Sequence, residues 1–206
     1  MKIVTFAGYE WEIKQSESPV GPGPNVFSDK GVYVDAEGMH LSVWYENDTW
    51  HCSEAVLSKP LGYGTYAFTV STPLSPMEKR VVFGAFLYEN DTQEIDIEVS
   101  RRMVGRDRAQ FVIQPGSTRG NIQKYTIPCD TPLSFNIIWT QEQVHFKASK
   151  DESSSVLLSE WIYPSAGITS PDVARFIWNL WLFQGKSARH PQSLTIQDFS
   201  FSPLPS

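Results

Sequence analysis

The sequence predicts an all-β fold, a sandwich or barrel formed by one domain spanning residues 1–206. Three observations carry that expectation. Turn-forming residues recur along the whole length, with 13 Gly and 14 Pro, and short runs rich in β-branched and aromatic residues lie between them. No stretch keeps a convincing helical period, and 150–165 is the one place that allows a short helix or turn. Apolar residues make up 41% of the chain and aromatics 13%, enough to fill a core and against disorder. At 206 residues one large domain fits better than two. No internal repeat or linker divides the chain.

The elements follow in order. Ser18-Pro19-Val20-Gly21-Pro22-Gly23-Pro24-Asn25 is a stiff surface loop, because proline fixes φ and glycine punctuates the chain. Strands are expected near 32–34 and 39–45, where apolar and polar side chains alternate. The run at 54–58 ends before Gly62-Tyr63-Gly64, a tight bend between strands, from which 64–72 departs. The run at 80–88 is almost continuously apolar. Further strands are expected near 94–100, 109–114, 134–139, 143–149, 175–183 and 193–201, each bounded by turn signals.

Chemistry concentrates in Glu94-Ile95-Asp96-Ile97-Glu98. In a strand the three acids share one face and the isoleucines the other. The pattern suits a half-exposed strand with a solvated acidic face. It also suits glycoside hydrolysis, which needs two carboxylates at close range. Asp96 between them would raise the pKa of a neighbouring Glu, as a general acid requires.

A second segment is Arg175-Phe176-Ile177-Trp178-Asn179-Leu180-Trp181-Leu182-Phe183. As a strand it puts Asn179, Trp181 and Phe183 on one face and Trp178, Leu180 and Leu182 on the other. Trp178 is expected in the core. Asn179 can bond sugar hydroxyls and Trp181 can pack on a pyranose. In a third segment, running from Trp50 to Tyr66, Glu54 is an acid in an otherwise apolar run, either an exposed strand position or a groove acid.

These three segments, in this order, resemble the family 16 glycoside hydrolases, especially bacterial lichenases (1,3-1,4-β-glucanases) and laminarinases. The acidic pentapeptide matches the E-I-D-I-E signature. Glu54 followed by Gly62-Tyr63-Gly64-Thr65-Tyr66 resembles the lichenase segment with a groove Glu before a G-Y-G turn. Val81–Tyr88 resembles the strand before the signature, and Asn179-Leu180-Trp181 the N-L-W strand. Gln110–Gln114 lies where the strand after the signature carries substrate-facing residues.

The resemblance implies a β-jelly-roll of two curved antiparallel sheets with a concave substrate groove. It implies hydrolysis of internal β-glycosidic bonds in a β-glucan-like polysaccharide by retaining double displacement. Glu94 would be the nucleophile, Glu98 the acid/base, and Asp96 the residue that holds and tunes the pair. Glu54, Gln114, Asn179 and Trp181 would contact sugar. No cofactor is required, but a structural calcium is implied at the carbonyl of Gly38 and at Asp198, two ligands of the 6–8 such a site needs. Departures are visible too. No Trp precedes the signature, Val56 stands where an Arg is common, and Gln114 stands where a Tyr is expected. They motivate an alternative: a non-catalytic, lectin-like carbohydrate-binding protein on the same sandwich.

A net charge of −6 disfavours nucleic acid or an anionic membrane as partner. The resemblance implies a polysaccharide or oligosaccharide as partner instead, and a monomer is expected. The start shows no signal-peptide h-region, so the protein is expected in the cytoplasm unless a leader is missing. Cys52 and Cys129 form no CxxC motif; a disulfide and two buried thiols both remain open. His40, His51, His145 and His190 show no metal spacing, and no G-x-S-x-G supports serine catalysis. Asn47-Asp48-Thr49 and Asn90-Asp91-Thr92 are glycosylation sequons, meaningful in a eukaryotic secreted chain. Arg101, Arg102, Arg106 and Arg108 are expected in a solvated loop; the second reading is recognition of an acidic or sulfated glycan.

Overall fold

The structure is a computed structural model that describes residues 1–101, 108–128, 130–150, 156–164 and 168–204. The chain begins with a hairpin, β1 (Lys2–Phe6) and β2 (Tyr9–Ile13), turned at Ala7 and Gly8 with φ of 52° and 82°. Then come β3 (Val26–Phe27), β4 (Val32–Asp35), β5 (Gly38–Glu46), β6 (Thr49–Leu57) and β7 (Gly64–Val70). The middle of the chain supplies β8 (Val81–Asn90), β9 (Gln93–Ser100), β10 (Ala109–Ile113) and β11 (Ile122–Tyr125). The rest is β12 (Leu133–Trp139), β13 (Gln143–Lys150), β14 (Leu157–Pro164), β15 (Arg175–Leu182) and β16 (Gln192–Pro203). Short 3-10 turns lie at Asp29–Gly31 and Phe183–Gly185.

Two antiparallel sheets face each other. One runs β11-β10-β9-β8-β15-β6-β2-β1 and the other β4-β5-β16-β7-β12-β13-β14. Strand β6 belongs to both. Its second half pairs with β15 and β2, and its first half with β5 across a turn at Asn47 and Asp48, φ 50° and 60°. Asn and Asp tolerate that left-handed backbone, which is why this dipeptide closes a tight hairpin.

The core fills the gap between the sheets. Trp11 from β2 is fully buried and stacks on Trp178 from β15, with centroids 4.3 Å apart at 15°. Phe68, Phe176 and Phe199 pack around that pair edge-on. Farther along, Phe111 stacks on Phe146 at 4.9 Å, and Phe146 on Trp161. Ile95 and Ile97 point into this core with no exposure, so the acids between them must face outward.

The all-β sandwich is as expected, and the expected strands are present with ends displaced by a few residues. Two expectations need correction. The segment 150–165 holds no helix among its described residues; Leu157–Pro164 is a strand paired to β13. It is an edge strand whose Trp161 and Tyr163 lean inward while Glu160 and Ile162 face solvent. That alternation has period two, not the helical period. Strands β3 and β11 and the β1–β2 hairpin lie outside the expected strands, and β2 carries the clearest overlooked signal. Its Glu10-Trp11-Glu12-Ile13 alternation is a strand signal in a stretch whose short, mixed composition hid it.

Candidate active site

Strands β10, β9, β8, β15 and β6 lie side by side, and their outward residues form rows. In one row Gln110 faces Glu98, Glu98 faces Gly84, Gly84 faces Asn179, and Asn179 faces Glu54. The next row runs Val112, Asp96, Phe86, Ile177 and Val56. A third places Glu94 beside Tyr88 and Tyr88 beside Arg175. Sequence alternation and antiparallel register together bring acids from two distant segments to one floor.

Above this floor is a groove of about 630 Å³. The acids Glu54, Asp91, Glu94, Asp96 and Glu98 line it, with Lys14 the one cation of the lining among the described residues. Asn179 and Trp181 line it as well, and Gly21, Pro22 and Gly23 of the stiff loop form part of its wall. The loop is fixed from below: the Asn25 side-chain amide donates to the carbonyls of Pro22 (2.7 Å) and Leu182 (2.9 Å).

Each side chain is held. Glu54 is 6% exposed and accepts from Lys14 Nζ at 2.9 Å and from Asn179 Nδ2 at 3.3 Å. Lys14 Nζ also donates to the Gly21 carbonyl at 2.8 Å and sits 4.2 Å above the Phe27 ring. Gln110 Nε2 donates to Glu98 Oε2. Tyr88 donates to Asp91 Oδ1 at 2.7 Å, and that bond pushes its phenol up to about 12. Asp96, 3% exposed, and Asn179, 2% exposed, each keep a buried Oδ1 without a protein partner among the described residues. Buried unpaired acceptors are costly, so these two oxygens are available to a ligand.

The electrostatics follow from crowding. Burial pushes the Glu94 carboxyl up to about 8, helped by the charges of Glu98 and Asp91. Asp96 is raised well above its usual range, first by burial and then by Glu98 and Glu94. The hydrogen bond between Asp96 and Glu94 raises Asp96 and lowers Glu94, so Asp96 is the proton donor and Glu94 the acceptor. A freely solvated acidic face would show none of this.

Gly84 stands at the middle of the first row for a steric reason. A Cβ there would lie 2.5 Å from Asn179 Oδ1. Gly84→Ala therefore displaces Asn179 from Glu54 and fills the gap beside Glu98. It should cost about 1–3 kcal/mol of stability, as overpacking does, measured by denaturant unfolding; an unchanged midpoint would contradict the packing described.

Of the residues singled out from the sequence, Glu54, Glu94, Asp96, Glu98, Asn179 and Trp181 converge on the groove. Trp178 is in the core as expected. Gln114 is placed elsewhere: it follows β10, and its side-chain oxygen accepts from the Gly116 N–H at 2.7 Å, turning back on its own loop. Lys14, Gly84, Phe86 and Tyr88 were not anticipated. Lys14 had no signal, because the strand it follows, β2, was missed. Gly84 and Tyr88 could have been found by counting even positions along the 80–88 run.

Gly38 takes φ +139°, and a Cβ on it would meet the Ile196 carbonyl oxygen at 2.1 Å, beside the bulge that precedes Asp198. The two positions named for calcium are thus near each other. However, the described residues hold no cluster of three His, Cys, Asp or Glu that could bind a metal. This donor set does not make up the six to eight oxygens calcium takes, and no chemistry is assigned to the ion. Cys52 is a buried free thiol pushed up to about 12 by burial. Cys129, Arg102 and Arg106 lie outside the described residues. His40 bridges Asp35 and Thr195, at 2.8 and 3.0 Å, away from the groove.

No family model and no curated protein matches the chain. Solved structures do match in fold. A β-glucanase of Bacillus licheniformis superposes with a TM-score of 0.70 at 15% identity, over 93% of this chain and 91% of that one. A glycoside hydrolase family 16 endo-glucanase from Bacteroides ovatus, solved in complex with G4G3G-2F-DNP, gives 0.67 at 12% identity, over 93% and 94%. An immunostimulatory antigen and pseudo β-1,3-glucanase of Mycobacterium tuberculosis gives 0.65 at 12%, over 91% and 88%. At such identities the likeness is one of fold: the chain has the β-jelly-roll of the family 16 β-glucanases.

Proposed function

We propose that this protein cuts internal β-glycosidic bonds of a β-glucan-like polysaccharide by a retaining double displacement. The observation that carries the reading is the confinement of Glu94, Asp96 and Glu98 on one face of β9, with Glu94 and Asp96 held above their usual pKa range. Its place on the floor of a groove, beside Asn179, Glu54 and Trp181, gives a sugar chain somewhere to lie.

In the first step the Glu94 carboxylate attacks the anomeric carbon while Glu98 gives its proton to the departing glycosidic oxygen. In the second, Glu98 takes a proton from water, and that water displaces Glu94 from the sugar, with net retention. Asp96 donates its hydrogen bond to Glu94 and so favours the ionised, nucleophilic form. Gln110 holds Glu98 in orientation. Glu54 and Asn179 offer hydrogen bonds to sugar hydroxyls, and Trp181 a stacking face. Ideal strand geometry puts Glu94 and Glu98 about 13 Å apart at the backbone, so both must lean over Asp96 toward the ~5–5.5 Å of a retaining pair. Glu98 raising the pKa of Glu94 is consistent with that approach.

A second reading is binding without cleavage. It is favoured by the high pKa of Glu94, which keeps the nucleophile protonated at neutral pH, and by the pseudo-glucanase among the fold neighbours. A panel of mixed-linkage, β-1,3- and β-1,4-linked polysaccharides, scored for new reducing ends, separates the two. Wild type should release ends from at least one, and Glu98→Gln should reduce the rate at least ~10²-fold without loss of the fold. Binding by wild type with no new ends on any polymer selects the second reading.

A further inference from the structure

By parity, Gly84 and the buried Val82 of β8 are followed by Arg80, the residue before that strand, and Asn179 and Trp181 of β15 by Phe183, the residue after it. Trp181 and Phe183 lie 6.3 Å apart, and the Phe183 N–H donates to the Arg80 carbonyl at 2.8 Å. Arg101 follows directly on β9, whose last residue, Ser100, faces Val82. The ends of three strands that carry groove residues therefore meet in a second cavity, of about 720 Å³.

Its chemistry is the reverse of the groove's. Lys79, Arg80, Arg101, Lys186 and Arg189 line it, and Glu78 is the one acid of its lining among the described residues. That acid is occupied locally, accepting from the Arg80 backbone N–H at 2.8 Å. All five cations are exposed. None of them takes part in an ion pair among the described residues. Arg80 Nη1 donates to the Ser187 carbonyl at 2.8 Å and Arg101 Nη1 to Met77 at 3.4 Å, which anchors the two guanidinium groups and leaves their other N–H donors available. In a chain of net charge −6, five like charges round one cavity repel one another and gain by meeting an anion. Guanidinium groups suit sulfate and carboxylate in particular.

We propose that this cavity is an anion subsite beside the groove, and that the polysaccharide the protein recognises carries negative groups, sulfate esters or uronate carboxylates, at a position reaching past Trp181. The proposal rests on the glycan reading of the groove and narrows its substrate class to acidic polymers.

The test compares binding of laminarin, a neutral β-1,3-glucan, with binding of the same laminarin after chemical sulfation. The Glu98→Gln protein is used so that no polymer is consumed. The expected result is at least ~10-fold tighter binding of the sulfated form, with that ratio shrinking as salt rises from about 20 to about 500 mM. Adding the exposed changes Lys186→Glu and Arg189→Glu should bring the ratio to about 1–2 at an unchanged melting temperature. Polyglutamate should compete poorly. Equal affinity for both glucans, a ratio untouched by the double reversal, or displacement by polyglutamate as effective as by the glucan would each overturn the proposal. The two readings fail separately. Cleavage of neutral glucan by wild type, with no preference for the sulfated form, overturns only the anion subsite. Preferred, reversal-sensitive binding of sulfated glucan with no reducing ends released by wild type overturns only the hydrolase. Failure to bind either glucan overturns the subsite proposal.

Discussion

Glu94→Gln should leave no measurable hydrolysis and yet melt at a higher temperature than wild type at pH 7.5. The loss should reach ~10³-fold or more, because an amide cannot form the glycosyl ester. The gain in stability follows from linkage. In the folded protein the burial of the Glu94 carboxyl pushes its pKa up to about 8, against 4.5 in an unfolded chain. Below pH 4.5 the carboxyl is protonated in both states, and the buried site carries no penalty. Between 4.5 and 8 the unfolded chain releases this proton while the folded chain keeps it. Folding stability therefore falls as pH rises through that window and levels off above it. Glutamine never ionises, so the variant escapes the fall. Allowing for solvent in the open groove, the difference at pH 7.5 is about 1–3 kcal/mol, or roughly 3–10 °C for a domain of this size. The two proteins should converge near pH 4. Thermal unfolding at both pH values checks this. A variant no more stable at pH 7.5 than wild type would show that Glu94 is not confined as described.

Lys14→Met should have the opposite effect. Glu54 is 6% exposed, and Lys14 is its cationic partner at 2.9 Å. Removing the ammonium leaves a buried carboxylate with Asn179 as its remaining named donor, and it unties the Gly21 carbonyl from the groove wall. Breaking a buried pair from one side costs about 3–5 kcal/mol. Lys14 is partly exposed, so about 2–4 kcal/mol is expected, seen as a melting point lower by roughly 5–15 °C. Most of that loss should return in the double variant Lys14→Met, Glu54→Gln, which removes the stranded charge. If the double variant is as unstable as the single one, the ion pair is not what Lys14 contributes.

Much of the fold could be read in advance from period and punctuation, and the site could be read wherever its residues sat on a long alternating run. Glu94, Asp96 and Glu98 declare their common face because Ile95 and Ile97 lie between them. Asn179 and Trp181 do so because Trp178, Leu180 and Leu182 interleave with them. What was not legible came from pairing between distant segments. Nothing near Lys14 in sequence says that it will reach Glu54, since that contact depends on β2 joining β6. Gln114 fails for a local reason: its carboxamide finds the N–H of Gly116 two residues on before it can find a ligand. The edge strand Leu157–Pro164 was hidden because half its apolar residues face solvent, which blurs the alternation.

The row that runs Gln110, Glu98, Gly84, Asn179, Glu54 has a consequence for how such a site can change over generations. Each member is supplied by a different strand, and each faces outward by the parity of its position. Exchange of one residue type for another retunes a single place in the row. Gain or loss of one residue within any of the five strands would turn the rest of that strand inside out, sending carboxylates into the core and isoleucines into the groove. Descendants of this chain can therefore drift in residue identity along the floor, but their changes in length are confined to the connections between strands.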